Sequence, residues 1–228
     1  MVISDQLKKI YECKLKSISR VYNGIDITYR PDKNDPSIIA QINKFRDLNY
    51  KIIGSYAYLT RIKGLEQLIK VLEKRKDLAV VIIGEGEAKN ELIELSRTLN
   101  VIDRTLFLDY LPTPYNYLSL FDVYAMCSRS EGFGLAAVEA TLMQTPVVCS
   151  NISIFKEIFD DTKVSFFELD NISSLLESIN IAISTIGKLK AKVALNYSLN
   201  NFSGYKMASN YLDIYSNCLL YTSDAADE

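Results

Sequence analysis

The sequence predicts an α/β fold, a doubly wound parallel sheet finished by C-terminal helices. Two observations carry this expectation. Strand-like and helix-like patterns alternate through the middle of the chain, and such alternation builds a parallel sheet with helices on both faces. One strand-like run, Leu78-Ala79-Val80-Val81-Ile82-Ile83, is apolar at every position, as expected where a strand is covered on both sides. The length of 228 residues, set against about 150 per domain, bounds the answer to one large domain or one domain plus a piece of another.

Taken in order, the elements read as follows. Residues 27–50, interrupted by Pro31 and Pro36, read as an irregular surface excursion. Residues 51–58 form a strand that Gly54 weakens. Residues 64–76 place Leu65, Leu68, Ile69 and Leu72 at helical spacing, with charges opposite. The strand over 78–83 is closed by Gly84-Glu85-Gly86. Residues 88–99 are a second amphipathic helix with Leu92, Ile93, Leu95 and Leu99 apolar. A short strand follows over 105–108, then a short helix over 114–121 with Pro at its start. Residues 122–127, 146–149 and 164–167 are strands; residues 133–143 and 154–159 are helices. Helices over 175–195 and 203–219 finish the chain. No internal repeat or low-complexity linker interrupts the series.

Composition removes several function classes. Hydrophobic residues make up 48% and charged residues 24%, which excludes a disordered or collagen-like chain. Lys+Arg number 26 and Asp+Glu 28, for a net charge of −2. Non-specific nucleic-acid binding depends on neutralising phosphates, so no nucleic-acid partner is expected. There is no histidine, hence no Ser-His-Asp triad and no imidazole metal ligand. Cys13, Cys127, Cys149 and Cys218 show no C-x-x-C spacing; Cys127 and Cys149 lie in apolar runs and read as buried thiols. No apolar run approaches the ~20 residues of a membrane span. The start of the chain carries no secretory signal, so a reducing, cytoplasmic setting is expected.

In a parallel sheet of this kind, ligands bind beyond the carboxyl ends of the strands. The strongest local signal there is Ser130-Glu131-Gly132-Phe133-Gly134-Leu135, followed by Glu139. It follows a strand and opens a helix. Its glycines let a ligand approach the backbone. The N–H groups of Phe133, Gly134 and Leu135, with the helix dipole, suit an anion. Glu139 lies about six residues into the expected helix, ~9 Å along its axis. Two carboxylates that can accept from sugar hydroxyls, flanking a phosphate site, describe a nucleotide-sugar pocket. The plainer alternative makes Glu131 an acid near a helix start and Glu139 a solvated helix charge. A second signal is Thr60-Arg61-Ile62-Lys63-Gly64, where Lys63 can meet a phosphate as a point charge, although an ordinary surface lysine is the simpler reading. Gly84-Glu85-Gly86-Glu87 has Lys89 where a dinucleotide fingerprint needs a third glycine. It reads as a turn that closely approaches a ligand.

Taken together, these blocks resemble the C-terminal, donor-binding half of a family-4 glycosyltransferase, a Rossmann-like half of the GT-B fold. Val21-Tyr22-Asn23-Gly24-Ile25-Asp26 resembles the interdomain junction. The run from Gly54 to Gly64 resembles the first strand and phosphate loop, and Val81 to Gly86 the family's "I-V-G-x-G". Ser130 to Glu139, with Pro146 to Ser150, resembles the paired-glutamate motif and the strand after it.

The resemblance implies transfer of a sugar from a nucleotide diphosphate sugar to a glycan or lipid-linked acceptor, with retention and without a metal or other cofactor. Glu131 and Lys63 would be catalytic, Glu131 on the transferred sugar and Lys63 on the diphosphate. The amides of Phe133, Gly134 and Leu135 would hold the distal phosphate, and Glu139 the ribose. Asp109, Tyr110 and Leu111 would lie beside the base. Tyr58 stands where the family has arginine, and Arg61 could compensate. Residues 1–20 resemble the end of an acceptor-binding domain that would hold the acceptor and give the full-length parent any peripheral membrane association. Residues 21–217 are the expected nucleotide-sugar domain. Residues 218–228 resemble an adapter-derived or disordered tail. The isolated chain would then be nearly inactive. A non-catalytic or split-subunit nucleotide-sugar-binding module is the alternative, favoured by Tyr58; a dinucleotide oxidoreductase is disfavoured by the missing glycine.

Overall fold

The computed structural model describes residues 19–26 and 34–224, with side chains described as far as Ser216. Residues 1–18 of the expected acceptor-domain remnant lie outside the described residues. The chain divides into two compact units, Pro31–Asn196 and a second formed by Met1–Arg30 with Tyr197–Glu228.

The larger unit is the expected α/β fold. Its six strands are β1 (Lys51–Tyr56), β2 (Leu78–Ile83), β3 (Thr105–Leu108), β4 (Val123–Met126), β5 (Val147–Ser150) and β6 (Ser165–Phe167). All neighbours pair in parallel, in the order β3-β2-β1-β4-β5-β6. The central pairing aligns Ile53 with Val123 and Gly54 with Tyr124. Gly54, which weakened the strand in sequence terms, has a packing reason: a Cβ there would lie 2.0 Å from the Phe121 ring.

Helices cover both faces: α1 (Pro36–Asp47), α2 (Glu66–Lys74), α3 (Lys89–Thr98), α4 (Leu135–Leu142), α5 (Ser153–Ile158), α6 (Ile172–Ile183) and α7 (Thr185–Asn201). One continuous core unites Ile53, Val80, Ile82 and Val123 of the sheet with Leu68 and Leu72 of α2, Leu92 of α3 and Ile179 of α6. Residues 114–120 form a 3-10 helix rather than an α-helix.

Two expectations are corrected. Residues 36–47 are not an irregular excursion but α1. Asp35 accepts a hydrogen bond from the Ser37 N–H at 2.8 Å, Pro36 occupies the first turn, and Ile38, Ile42 and Phe45 are buried. A proline there costs no hydrogen bond, because first-turn amides have no helical acceptor. The single helix expected over 175–195 is two helices. The chain is extended at Ser184, whose hydroxyl accepts from the Ile186 N–H at 3.1 Å, a cap that starts α7. Cys127 and Cys149 are buried free thiols, as read from their apolar runs; burial pushes both well above the ordinary thiol range.

In the smaller unit, Ile25 bridges Ser203 in parallel, and the Ile25 N–H donates to the Phe202 carbonyl at 2.8 Å. Phe202 is fully buried, with the rings of Tyr22 and Tyr197 edge-on to it at 5.8 and 5.6 Å. The Val21–Asp26 block therefore packs where the last helix, α8 (Gly204–Asp224), begins. That helix continues through residues 218–224, and residues 225–228 are outside the described ones. Among the described residues, no helix is long and apolar enough to cross a membrane.

Candidate functional site

The strand order reverses between β1 and β4, and such a reversal leaves a crevice beyond the strand carboxyl ends. The loops after these two strands carry Lys63 and Glu131. The first loop ends in a 3-10 turn, Arg61–Lys63, followed by Gly64 at φ +62. A Cβ on Gly64 would lie 2.2 Å from the Cys127 carbonyl oxygen, so glycine lets this loop press against the end of β4. The buried Gln67 amide donates to the carbonyls of Gly64 and Cys127, at 3.1 and 3.2 Å, and locks the contact.

This packing brings the expected pair together. Lys63 Nζ lies 2.6 Å from Glu131 Oε1, and the Ser128 hydroxyl donates to the same oxygen at 2.7 Å. The Lys63 side chain is 23% exposed and that of Glu131 is 11% exposed. An ammonium has three donors and a carboxylate two accepting oxygens. Each partner therefore keeps hydrogen-bonding capacity toward the crevice.

Beside this pair begins α4. It starts at Leu135 rather than at Phe133, so Phe133 precedes the helix and Gly134 caps it at φ +86. No side chain caps this end, and first-turn amides have no acceptor within a helix. A Cβ on Gly134 would lie 2.4 Å from the Phe155 ring, whereas one on Gly132 would meet nothing within 4 Å. The backbone at Gly132 is therefore open to an approaching group.

Glu139 is in the second turn of α4, nearer the helix start than the ~9 Å expected. Its Oε2 accepts from the Tyr56 hydroxyl at 2.5 Å. Burial raises its pKa, and the Tyr56 hydrogen bond partly offsets that. Both Glu139 and Glu131 act electrostatically on the buried Tyr124 phenol, which burial already holds well above the ordinary range. A raised folded-state pKa means that the folded chain binds the Glu139 proton more tightly than the unfolded chain does. Ionised Glu139 is therefore a destabilising term, present above its folded pKa and absent below the unfolded one. Glu139→Gln is expected to melt at a higher temperature than wild type at pH 7, with the gap closing as pH falls toward 4. Thermal melts of both chains across that range check this.

A cavity of about 370 Å³ lies at the ends of β1 and β2, lined by Tyr56, Ala57, Tyr58, Ile83, Gly84, Glu85, Tyr110, Leu111, Pro112 and Pro114. Tyr58 and Tyr110 are both exposed. Asp109 is not in this lining; it is ion-paired with Lys89 and turned to that side. Arg61, expected as a possible compensating cation, is engaged elsewhere. It makes a two-point contact with Glu91, at 3.0 and 2.7 Å, with its side chain 82% exposed, and does not join the Lys63–Glu131 cluster. The glycines at 84 and 86 allow a close approach of chain to chain, and Gly84 also lines the cavity. Added Cβ atoms would lie 2.0 Å from the Ala57 carbonyl oxygen and 2.4 Å from that of Leu59.

Three residues of the site escaped sequence reasoning: Tyr56, Ser128 and Arg129. Arg129 ties the two loops together. Its N–H donates to the Ile62 carbonyl and its guanidinium to the Arg61 carbonyl, both at 2.8 Å, and it pairs with Glu66 and Asp170 at 2.6 and 2.5 Å. Tyr56 and Ser128 lie at or just past the carboxyl ends of β1 and β4, a position that could have flagged both. Among the described residues, no three His, Cys, Asp or Glu side chains gather as a metal-binding group.

The family model for glycosyl transferases group 1 matches residues 38–195. The O-antigen biosynthesis glycosyltransferase WclY of Escherichia coli is 34% identical over 201 residues, covering 86% of this chain and 55% of that protein. A Campylobacter jejuni relative, N-acetylgalactosamine-N,N'-diacetylbacillosaminyl-diphospho-undecaprenol 4-alpha-N-acetylgalactosaminyltransferase, is 29% identical over 178 residues, covering 77% of this chain and 47% of its own. The chain spans about half the length of the curated relatives it matches. Among solved structures, Anabaena HepE in complex with UDP and glucose superposes with a TM-score of 0.75 at 22% identity, over 86% of this chain and 56% of its own. A glycosyltransferase from Rickettsia africae gives 0.79 at 22%, over 95% and 62%. At that identity these structures show the fold alone, an α/β Rossmann-like domain shared with GT-B glycosyltransferases.

Proposed function

The chain belongs to the glycosyl transferases group 1 family, and from that premise we propose that it is the donor-binding half of a retaining glycosyltransferase. Its donor is a nucleotide diphosphate sugar, and its acceptor is a glycan or a lipid-linked saccharide, as the names of its relatives suggest. The observation that carries this reading is the Lys63–Glu131 pair at 2.6 Å beside the uncapped start of α4.

The roles follow from the chemistry. Negative charge develops on the departing diphosphate, and preorganised positive groups aimed there lower the barrier. Lys63 and the amides at Gly134 and Leu135 supply them, with Phe133 leading into the turn. Glu131 accepts from hydroxyls of the transferred sugar through the capacity that Lys63 and Ser128 leave. Glu139 accepts from the ribose. Tyr58, Tyr110 and Leu111 form the walls for the base. The charge stabilisation comes from the cation and the helix dipole, so the reaction needs no metal in this mechanism. The acceptor is held by a further domain.

Titrating UDP, GDP and ADP into the chain by calorimetry tests the site. Binding of at least one, weakened by Glu139→Ala, is expected; no heat from any of them would overturn the reading. The anomeric configuration of the transferred sugar, read by NMR with the acceptor-binding half supplied, tests retention. A second reading, a binding module or split subunit without catalysis of its own, is favoured by Tyr58 at the arginine position and by Arg61 turned onto Glu91. An acceptor domain encoded in frame upstream speaks against it, and a separate neighbouring gene for that domain speaks for it.

A further inference from the structure

We propose that Tyr56 is a positioning residue, which holds the Glu139 carboxylate in the orientation that accepts a ribose diol and so sets a preference for ribonucleotide over deoxyribonucleotide donors. This rests on the reading of Glu139 as the ribose acceptor. Tyr56 is the last residue of β1 and is 9% exposed. Two strands determine where it sits. Its ring lies against that of Tyr124 on β4 with centroids 4.9 Å apart, and its carbonyl accepts from the Tyr124 hydroxyl at 3.2 Å. The ring therefore has little freedom, and its hydroxyl reaches Glu139 Oε2 at 2.5 Å.

The direction of that bond is settled by chemistry. Burial opposes ionisation of the Tyr56 phenol, so the phenol donates and the carboxylate accepts. A glutamate side chain has several rotatable bonds, and ordering them on ligand binding costs affinity. Tyr56 imposes that order before the ligand arrives. It takes one of roughly four acceptor positions of the carboxylate. Both positions on Oε1 remain, enough for two donors from a vicinal diol. The same ring lines the cavity beside Tyr58 and Tyr110, so one residue touches the base side and orients the ribose side.

The experiment uses the whole chain and whichever of UDP, GDP and ADP binds tightest, with its 2′-deoxy and 2′,3′-dideoxy forms, in wild type, Tyr56→Phe, Glu139→Gln and Tyr124→Phe. Tyr56→Phe keeps the ring and removes only the hydroxyl. It is expected to weaken the ribonucleotide about tenfold, as for a lost hydrogen bond to a charged group, and the dideoxy form by less than about twofold. Its ribose preference should collapse to that of Glu139→Gln, and the double variant should be no worse than Glu139→Gln alone. Tyr124→Phe should lower the melting temperature and leave the preference intact. A Tyr56→Phe chain that keeps the full preference while Glu139→Gln loses it would overturn the positioning role alone. Equal loss of preference in Tyr124→Phe would overturn it too, by reducing the effect to packing. If Glu139→Gln keeps the preference, or if no nucleotide binds, the ribose reading itself fails and the proposal with it. Should Tyr56→Phe fail to fold, Tyr56→Met, which also lacks the hydroxyl and adapts its shape to the space, takes its place with the same two outcomes.

Discussion

Lys63→Ala is expected to lower the affinity of the chain for a nucleoside diphosphate by about 100-fold, the upper end of the range for a lost hydrogen bond between charged groups. The reason is that this site has few positive groups. The neighbouring candidate position is Tyr58, a neutral phenol, and Arg61 is held by Glu91 at 2.7 Å. Lys63 is the cation that the fold delivers beside the start of α4. Its removal also leaves Glu131, 11% exposed, held only by Ser128 at 2.7 Å and facing the incoming phosphates with an uncompensated charge. Part of the expected loss is therefore repulsion, and the double variant Lys63→Ala/Glu131→Gln should recover that part. Calorimetry on the two variants and on Glu131→Gln alone closes the cycle. Unchanged affinity in Lys63→Ala would place the diphosphate elsewhere.

The largest effect on stability is expected at Gly84. Its φ of +140 is a conformation that only glycine adopts readily, and an added Cβ would lie 2.0 Å from the carbonyl oxygen of Ala57. Neither side can retreat. The Gly84 N–H donates to the Leu108 carbonyl at 3.0 Å, the Ala57 N–H to the Ile83 carbonyl at 3.1 Å, and the Leu59 N–H to the Glu85 carbonyl at 2.7 Å. Strain of this type costs about 1–3 kcal/mol before any clash is counted. Gly84→Ala should lose about 3–4 kcal/mol, which for a chain of this size lowers Tm by roughly 10 °C. Gly132→Ala is the contrast. Its Cβ enters open space, so the melt should not move. A weaker nucleotide affinity in that variant would show that the open space is where the ligand comes close. Urea and thermal melts of the two variants decide between a glycine kept for packing and one kept for approach.

Most of the fold was legible because its signals are local. The run 78–83 is apolar throughout and is β2. The spacing of Leu65, Leu68, Ile69 and Leu72 belongs to the chain segment that forms α2. The errors were also local in origin. Two prolines masked α1, although Asp35-Pro36-Ser37 followed by Ile38, Ile42 and Phe45 is a helix start with an apolar stripe. The apolar periodicity of 175–195 ran across Ser184 without a break, and only the extended backbone there divides α6 from α7. In the site, Glu131 and Lys63 could be named because each follows a strand and precedes a helix. The fates of Arg61 and Asp109 could not, because Glu91 and Lys89 reach them from another helix. Tyr56 carried one signal, its place at the carboxyl end of β1, and its partner Glu139 is 83 residues away.

From the linear chain alone, the succession of strands and helices followed, together with the residue types at the strand ends, because hydrophobic period and glycine or proline placement act over a few residues. Which strands lie side by side, and hence that Lys63 meets Glu131 and Tyr56 meets Glu139, was decided only in three dimensions. The physical reason is that a side chain's direction and charge state depend on partners brought near by packing, here from positions 68 and 83 residues away.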